Sequence, residues 1–359
     1  METFWLVHGK LITPRGIVDG AIRIARGRIL AIQARAPRGA SCVDAQGAFV
    51  APGFIDLHVW GNPATIAGET VRHGTTAFLS AVGPEPLPRM LERLALRVAT
   101  RHLDGAECLG AHLEGPFLNP ERAGALSARW MRRPALSTLQ RLGRAGTLRL
   151  MTIAPELPGA ERAIRWCRRH RVIASLGHSN ADASTAIRAV DAGAKAVTHV
   201  FNGMPPLHHR RPALLDVALT DPRLTTMVIA DGVHSSPSAF RLLVRAKGVD
   251  RIALVTDSIR SQGWDVVARD GAYFTRRGVL AGSALTMMQA VRNAIKFADV
   301  TVSDAVRMAS EVPARLLGLA RSHGVLAIGR RADLVVFDRA FRVRLTMVRG
   351  ESVYQRKKV

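Results

Sequence analysis

The sequence predicts a (β/α)8 TIM-like barrel with a small β-sandwich domain built from both termini. Three observations predict this fold. The chain has 359 residues, of which 48% are hydrophobic and 22% charged, so it can bury a large core. Through its middle, short apolar runs alternate with Ala-, Arg- and Leu-rich helical segments. Both ends show instead the two-residue alternation of antiparallel strands.

The two ends are predicted to form one small antiparallel β domain, residues 1–50 plus 325–359. Near the start, residues 21–25 and 28–32 alternate around a turn at Arg26-Gly27, which is typical of a hairpin. Near the end, residues 332–338 and 342–349 alternate in the same way. Because neither pair of strands makes an independent core, we expect the two ends to pack together beside the barrel.

Residues 51–324 are predicted to form the barrel. Its strands are nearly continuous apolar runs, as expected where both faces of a parallel sheet are buried. The eight strands are predicted at 53–58, 75–80, 107–114, 148–154, 172–178, 196–202, 225–231 and 251–257. Helical segments lie between them at 88–101, 137–142, 160–170, 181–192 and 238–247. Gly282-Ser283 is interpreted as a tight turn of the barrel, since no phosphate-loop pattern follows it.

Composition argues against several other classes. No apolar run approaches the ~20 residues of a membrane span, and residues 1–10 show no secretory pattern. Cys42, Cys108 and Cys167 form no CxxC pair, so no disulfide framework is indicated and the cytoplasm is the expected compartment. The net charge of +23 comes from 45 scattered arginines and six lysines. Without a nucleic-acid-binding motif, attraction of an anionic small substrate is the milder interpretation.

Polar side chains stand where the predicted strands end. In a (β/α)8 barrel these positions meet at one mouth, where such barrels carry their active sites. They are His58, Glu114, His178, His199, Asn202, Asp231, His234 and Asp257. Two imidazoles and a carboxylate from three strands suit zinc or iron(II) with a position open for water. With an aspartate to accept and return a proton, the pattern indicates metal-assisted hydrolysis of an amide or ester.

A longer series of motifs runs through the chain in order. It includes Asp56-Leu57-His58, His112-Leu113-Glu114-Gly115-Pro116-Phe117, Gly177-His178-Ser179-Asn180-Ala181, Thr198-His199-Val200-Phe201-Asn202-Gly203 and Val255-Thr256-Asp257. On these motifs the sequence resembles the N-acetylglucosamine-6-phosphate deacetylase family of the amidohydrolase superfamily. The resemblance covers essentially the whole chain, and the stretches 112–117 and 177–181 are specific to that family.

The resemblance implies a metal centre and a proton carrier. Glu114, His178 and His199 match the family's principal metal ligands. Asp257 matches its general base and acid. One divalent ion per chain is therefore expected, with zinc first and iron(II) or another divalent ion as the alternatives.

The resemblance also implies the substrate and the assembly. Asn202, the backbone of Gly203 and His234 match groups that hold the sugar and its reacting amide. Arg210 matches an arginine that reaches the substrate phosphate from the partner subunit of a homodimer. The expected reaction converts N-acetylglucosamine 6-phosphate to glucosamine 6-phosphate and acetate.

Several positions depart from the family pattern. Trp60 stands where many superfamily members carry the second His of His-x-His, and an indole nitrogen can only donate. We therefore expect one ion, with His58 either unligated or holding a water. Leu126 replaces a substrate-facing His, Arg211 adds a cation, and residues 262–264 also look unlike the family.

Because these departures lie in segments expected to face the substrate, they affect the identity of the substrate more than the type of reaction. The second interpretation is the same deacetylase chemistry on another N-acyl sugar or a sugar nucleotide. A third is a non-catalytic binding protein on the same barrel, against which the intact Glu114, His178, His199 and Asp257 argue. A nucleic-acid binder would rest on charge alone.

Overall fold

A computed structural model describes residues 3–99, 104–260 and 265–356. Residues 262–264, unlike the family in sequence, lie outside this part of the chain. The strands within it are, in order, β1 (Phe4–Thr13), β2 (Gly16–Ala25), β3 (Arg28–Gln33), β4 (Cys42–Asp44), β5 (Phe49–Pro52), β6 (Phe54–Trp60), β7 (Thr75–Val82), β8 (Glu107–Glu114), β9 (Leu148–Ile153), β10 (Ile173–Leu176), β11 (Ala196–Val197), β12 (Thr225–Ile229), β13 (Ile252–Val255), β14 (Ser258–Ile259), β15 (Val266–Arg269), β16 (Ala272–Thr275), β17 (Leu280–Ser283), β18 (Leu334–Phe337), β19 (Val343–Val348) and β20 (Glu351–Gln355).

The helices cover the outside of the barrel strands. They are α1 (Pro63–Thr70), α2 (Leu87–Ala99), α3 (Leu136–Arg144), α4 (Ala160–Arg169), α5 (Ala183–Ala192), α6 (Leu214–Thr220), α7 (Pro237–Lys247), α8 (Met287–Ala298), α9 (Val302–Ala309) and α10 (Glu311–Leu316). Side chains cap some of these helices: the Ser236 side chain accepts a hydrogen bond from the Ala239 N–H, and Thr286 with Gln289 forms a capping box. Among the described residues, no helix has the length and apolarity that crossing a membrane requires.

The predicted barrel is confirmed. β6 to β13 pair in parallel, each with the next strand in the chain. The sheet closes where β14 continues the eighth strand, because Ser258 and Ile259 lie opposite Val59 and Trp60 of β6. Every residue of β6 and of β7 is buried, as expected for a parallel sheet covered by helices.

Several predicted strands extend beyond the observed ones, and two of the observed strands stop short of residues predicted for the site. The strand predicted at 172–178 ends at Leu176, and the one predicted at 196–202 ends at Val197. The reason is backbone geometry: φ is 48° at His178 and 25° at His199, and these angles leave the extended conformation. His178 and His199 therefore stand on loops that follow their strands, whereas His58 and Glu114 lie within β6 and β8.

A short meander follows the eighth strand. β17 pairs with β14 in parallel and with β16 antiparallel, and β16 pairs with β15. Gly282-Ser283, interpreted from the sequence as a tight turn, therefore belongs to a strand, and that interpretation is wrong. Gly282 has φ 141°, and a Cβ there would lie 2.9 Å from the Asp257 carbonyl oxygen, so glycine allows the two segments to approach.

The small sheet joins both ends of the chain, in the order β20-β19-β18-β5-β1-β2-β3. It is mixed rather than wholly antiparallel, because β1 runs parallel to β4 and β5. This pairing joins strands separated by a crossover, which period-two alternation does not reveal. Side chains from both halves of the sheet, such as Leu6, Ile24, Val50 and Leu345, share one core, so the sheet packs on itself as a sandwich does. The domain boundaries themselves stay a prediction.

Candidate metal centre and active site

The strand-end residues gather around one cavity of about 260 Å³ at the barrel mouth. Each predicted site residue except Arg210 lines it: Glu114, His178, His199, Asn202, Gly203, His234 and Asp257. The parallel strands bring these positions to one end, as the sequence predicts. The cavity wall also contains apolar residues, among them Trp60, Leu126 and Leu280.

Glu114 lies at the centre of the polar cluster. Its Oε1 is 3.0 Å from Nε2 of His178 and 2.6 Å from Nε2 of His199. Its Oε2 is 3.4 Å from Nε2 of His58. Burial raises the pKa of this carboxyl, but the three surrounding imidazoles outweigh burial and hold the pKa well below its usual value. Glu114 is therefore an anion that faces imidazoles on two sides.

His178 shows why a cation fits this cluster. Its Nδ1 lies 2.6 Å from the carbonyl oxygen of Arg122, and a carbonyl only accepts, so Nδ1 carries the hydrogen. A neutral ring then turns the lone pair of Nε2 toward the anionic Oε1 of Glu114. Two facing acceptors repel each other unless a proton or a metal ion lies between them. A carbonyl that fixes the ring tautomer in this way is a common support for a metal-binding histidine.

His58 also enters the donor set. The ligand atoms of His58, Glu114 and His199 all lie within 4.8 Å of one another, which suits a shared metal ion. Among the described residues, Nε2 of His58 and Nδ1 of His199 are buried without a hydrogen-bond partner. Burial lowers the pKa of His58, but the carboxylates of Glu114 and Asp257 outweigh it and raise that pKa to about 10. The residues thus fit a divalent cation, and His58 is closer to the centre than its sequence alone shows.

The Asp257 carboxylate approaches the same nitrogen of His58, Nε2, as the Glu114 carboxylate does. Its Oδ1 lies 3.1 Å from Nε2 of His58 and accepts a 2.8 Å hydrogen bond from the indole N–H of Trp60. The Asp257 backbone N–H donates to the His58 carbonyl, where the barrel closes. Its φ of 49° is a left-handed conformation that costs a non-glycine residue energy, as do those of His178 and His199. Such conformations concentrate at functional sites, where the surrounding fold maintains them.

A buried chain of polar side chains runs beneath the centre. Nδ1 of His58 lies 2.7 Å from Nδ1 of His112, and Nε2 of His112 lies 2.8 Å from Oγ1 of Thr152. Oγ1 of Thr152 lies 2.8 Å from Oγ1 of Thr198, which in turn lies 2.6 Å from Oγ of Ser175. These side chains come from different barrel strands and are fully buried. The chain therefore fixes His58 from below, a role for His112 that its position two residues before Glu114 suggests.

The substrate side of the cavity is built by His234, Asn202 and Gly203. The Asp231 carboxylate lies 2.6 Å from Nδ1 of His234, which fixes that ring and leaves Nε2 for a ligand. The amide nitrogen of Asn202 donates to the carbonyl of His199 at 3.2 Å. Gly203 has φ 64°, and a Cβ there would lie 3.1 Å from Nδ1 of His178, so glycine lets the loop approach the ring.

Arg210 is not brought to the cavity by its own chain. It is exposed on the loop after the sixth strand, where its backbone N–H donates to Nδ1 of His208 at 3.2 Å. The neighbouring Arg211 is exposed as well. This placement is compatible with a role for Arg210 toward another subunit, which stays a prediction.

Some residues that line or support the cavity carry no sequence signal for function. The Arg122 carbonyl acts through its backbone, so residue type does not reveal it. Ala281 and Gly282 line the cavity from β17, and neither has a side chain that could hydrogen-bond. The Trp60 indole was visible only as a departure from a pattern, and its hydrogen bond to Asp257 required the structure.

Comparison with known proteins extends over both sheets. The amidohydrolase family matches residues 49–353. The N-acetylglucosamine-6-phosphate deacetylase of Bacillus subtilis (strain 168) is 31% identical over 98% of this chain and 98% of its own length. The N-acetylgalactosamine-6-phosphate deacetylase of Escherichia coli O157:H7 is 34% identical over 95% of this chain and 97% of its own. The crystal structure of N-acetylglucosamine-6-phosphate deacetylase from Pasteurella multocida superposes with a TM-score of 0.90 at 27% identity, covering 98% of this chain and 99% of that one.

Proposed function

This chain belongs to the amidohydrolase family, and on that premise we propose that it is a metal-dependent deacetylase of an N-acetylated amino-sugar phosphate. The substrate supported best is N-acetylglucosamine 6-phosphate, which hydrolysis converts to glucosamine 6-phosphate and acetate. One observation carries the proposal: Glu114, His178, His199 and Asp257 line a single cavity. That set combines a cation-binding cluster with a separate carboxylate, and amide hydrolysis needs both.

Glu114, His178 and His199 are the proposed ligands of one divalent ion, zinc first and iron(II) as the alternative. When bound, such an ion polarises the amide carbonyl and lowers the pKa of water toward about 7. One ion rather than two is supported by Trp60. Its N–H already occupies Oδ1 of Asp257, and a donor cannot also face a cation.

Asp257 is the proposed proton carrier. Hydrolysis adds water across the amide C–N bond: the water oxygen joins the acetyl carbon, and the amine leaves with one of the water's protons. Asp257 accepts that proton while the C–O bond forms and gives it to the amine nitrogen while the C–N bond breaks. The transfer is needed because an amine anion is too poor a leaving group.

The sugar and its phosphate are assigned to different groups. Asn202, the Gly203 backbone and His234 line the cavity and are proposed to hold the sugar and its amide. Arg210, exposed outside it, is proposed to bind the phosphate in the partner subunit's site, since a guanidinium matches a phosphate with two hydrogen bonds. The proposal therefore includes a homodimer. It also includes a cytoplasmic location, which the cysteine content leads us to expect.

A second candidate keeps the chemistry and changes the sugar. Leu126 lines the cavity where the family usually has a substrate-facing His, so one polar contact is replaced by an apolar one. The relative from Escherichia coli O157:H7 acts, by its name, on N-acetylgalactosamine 6-phosphate. An epimer or another N-acyl sugar is therefore the alternative substrate.

Acetate release tests these assignments together with metal analysis. The panel contains N-acetylglucosamine 6-phosphate, N-acetylgalactosamine 6-phosphate and both sugars without phosphate. We expect the first to show the highest kcat/KM, and Arg210→Ala to raise KM about tenfold or more for phosphorylated sugars only. Arg321→Ala, at an exposed arginine elsewhere, is the matched control. Equal KM values with and without phosphate in the parent enzyme would exclude phosphate recognition, and no acetate from any sugar would exclude the function.

A further inference from the structure

We propose that Trp60 is a positioning residue that holds the Asp257 carboxylate in the orientation needed for proton transfer. The proposal rests on the proposed function and extends it to a residue outside the expected catalytic set. It begins from one contact: the Trp60 indole N–H donates to Oδ1 of Asp257 at 2.8 Å, between two buried side chains. A hydrogen bond to a charged group in a buried site is among the stronger ones in proteins.

The backbone places the donor and the acceptor as neighbours. Trp60 ends β6, and its partner in the parallel pairing is Ile259 of β14, two residues after Asp257. The Arg260 N–H donates to the Trp60 carbonyl at 2.8 Å. Because the hydrogen bond lies where the first and last barrel strands meet, the closure of the barrel itself sets the distance between the indole and the carboxylate.

Packing fixes the indole ring. Trp60 is 6% exposed and packs with Ala81, Ile259 and the partly buried Leu126. The indole and the His58 imidazole make a T-shaped contact, with ring centroids 5.6 Å apart. A Cβ on Gly83 would lie 3.1 Å from the far edge of the indole and 3.4 Å from Leu126. Trp60 and Leu126, both departures from the family pattern, therefore form one wall of the cavity. The donor therefore cannot swing away from Asp257 without disturbing that wall.

The hydrogen bond from Trp60 makes the two carboxylate oxygens of Asp257 different from each other. Oδ1 accepts the Trp60 N–H and lies beside His58, whereas no hydrogen bond to Oδ2 is found among the described residues. An aspartate side chain otherwise turns broadly about its last torsion. With Oδ1 held, Oδ2 is the oxygen left for the proton that passes from water to the amine. Trp60 thus acts through Asp257 and needs no contact with the substrate.

Trp60→Phe tests this role because it removes the N–H and keeps an aromatic ring. We expect kcat to fall about tenfold to a hundredfold, with KM and metal content little changed, since a hydrogen bond to a charged group is lost. Trp5→Phe is the matched control: Trp5 is also 6% exposed but lies in the small sheet, so its substitution should leave kcat unchanged. A shape-matched benzothienylalanine at position 60, which lacks the N–H, covers the case in which Trp60→Phe does not fold, and it should show the same fall.

The Asp257→Asn background separates positioning from a structural role. If Trp60 acts through Asp257, adding Trp60→Phe to Asp257→Asn should cost less than threefold more, because the group that it positions no longer carries the proton. An equal fall of kcat in both backgrounds would overturn the proposal, as would a kcat within twofold of the parent for both position-60 variants. Failure of the proposed function is distinct from these outcomes, since the parent enzyme would then release no acetate.

Discussion

At the scale of single residues, the two carboxylate oxygens of Glu114 face different histidines. Oε1 faces His178 and His199, whereas Oε2 faces His58. On the Oε2 side, Oδ1 of Asp257 lies 3.1 Å from Nε2 of His58 and accepts the Trp60 N–H. A single ion on the Oε1 side, expected from the identity of residue 60, stays a prediction.

Substitution of the histidines tests this division. His178→Ala and His199→Ala should lose the ion and all hydrolysis, because each removes a ligand facing Oε1. His58→Ala should retain about one ion per chain. Metal content by mass spectrometry on purified variants measures this directly, with the exposed His8→Ala as control. A parent enzyme with two well-occupied ions, or a metal-free His58→Ala variant beside a fully loaded His178→Ala variant, contradicts the assigned set.

Asp257→Asn tests the proton carrier, since the amide keeps the shape but cannot accept the proton. We expect kcat to fall on the order of 10² to 10⁴, the usual contribution of a general acid–base group. KM and metal content should change little, because neither depends on the transfer. Steady-state kinetics at saturating substrate decide it. If more than about a tenth of the parent kcat remains, the carrier is elsewhere and His234 becomes the candidate.

At the scale of elements, the barrel strands place polar groups both at their ends and beneath the centre. Thr152 of β9 accepts or donates between His112 of β8 and Thr198 after β11. Each of these side chains has 0% exposure, so none can replace a lost partner with bulk water. The strands therefore position His58 through a hydrogen-bonded chain as well as through their backbone register.

Thr152→Val tests that chain by replacing a hydroxyl with a methyl group of similar size. It leaves Nε2 of His112 and Oγ1 of Thr198 without this partner, and we expect the free energy of unfolding to fall by about 1–3 kcal/mol. Thr225→Val is the control, because no side-chain hydrogen bond of Thr225 is found among the described residues. Denaturant unfolding at a fixed metal concentration measures both variants. Equal stability of Thr152→Val and the parent would show that the chain contributes nothing.

At the scale of the whole molecule, an ion-pair network joins the barrel to the small sheet. Glu107, at the start of β8, lies 2.6 Å from Nη1 of Arg331 and 2.9 Å from Nη2 of Arg349. Arg331 also lies 2.7 Å from Asp333, which is 6% exposed. Burial raises the pKa of Glu107, but the two guanidinium groups outweigh burial and lower the pKa below its usual 4.5. The network therefore stabilises the contact between the two sheets only while Glu107 is ionised.

Glu107→Gln should lower the free energy of unfolding by about 2–3 kcal/mol at pH 7, less than for a fully buried pair because the side chain is 18% exposed. A depressed carboxyl pKa contributes stability above its unfolded-state value and loses it as the pH falls through the folded-state value. The difference from the parent should therefore shrink below about pH 4.5. Denaturant unfolding at about pH 7 and about pH 3 checks this, with the exposed Glu351→Gln as control. A difference that stays constant down to pH 3 contradicts an ionic origin.

The sequence by itself determined the barrel, the sheet of both termini and the residues at the strand ends, because periodicity and the polarity of strand ends are local properties. It could not show that β1 runs parallel to β4 and β5, or that the fifth and sixth barrel strands end before His178 and His199. Only the tertiary structure decided the contacts of Glu114 with three imidazoles and of Trp60 with Asp257. The last pair is 197 residues apart in the chain. Such contacts depend on where the barrel closes and how its side chains pack, and no local pattern records either.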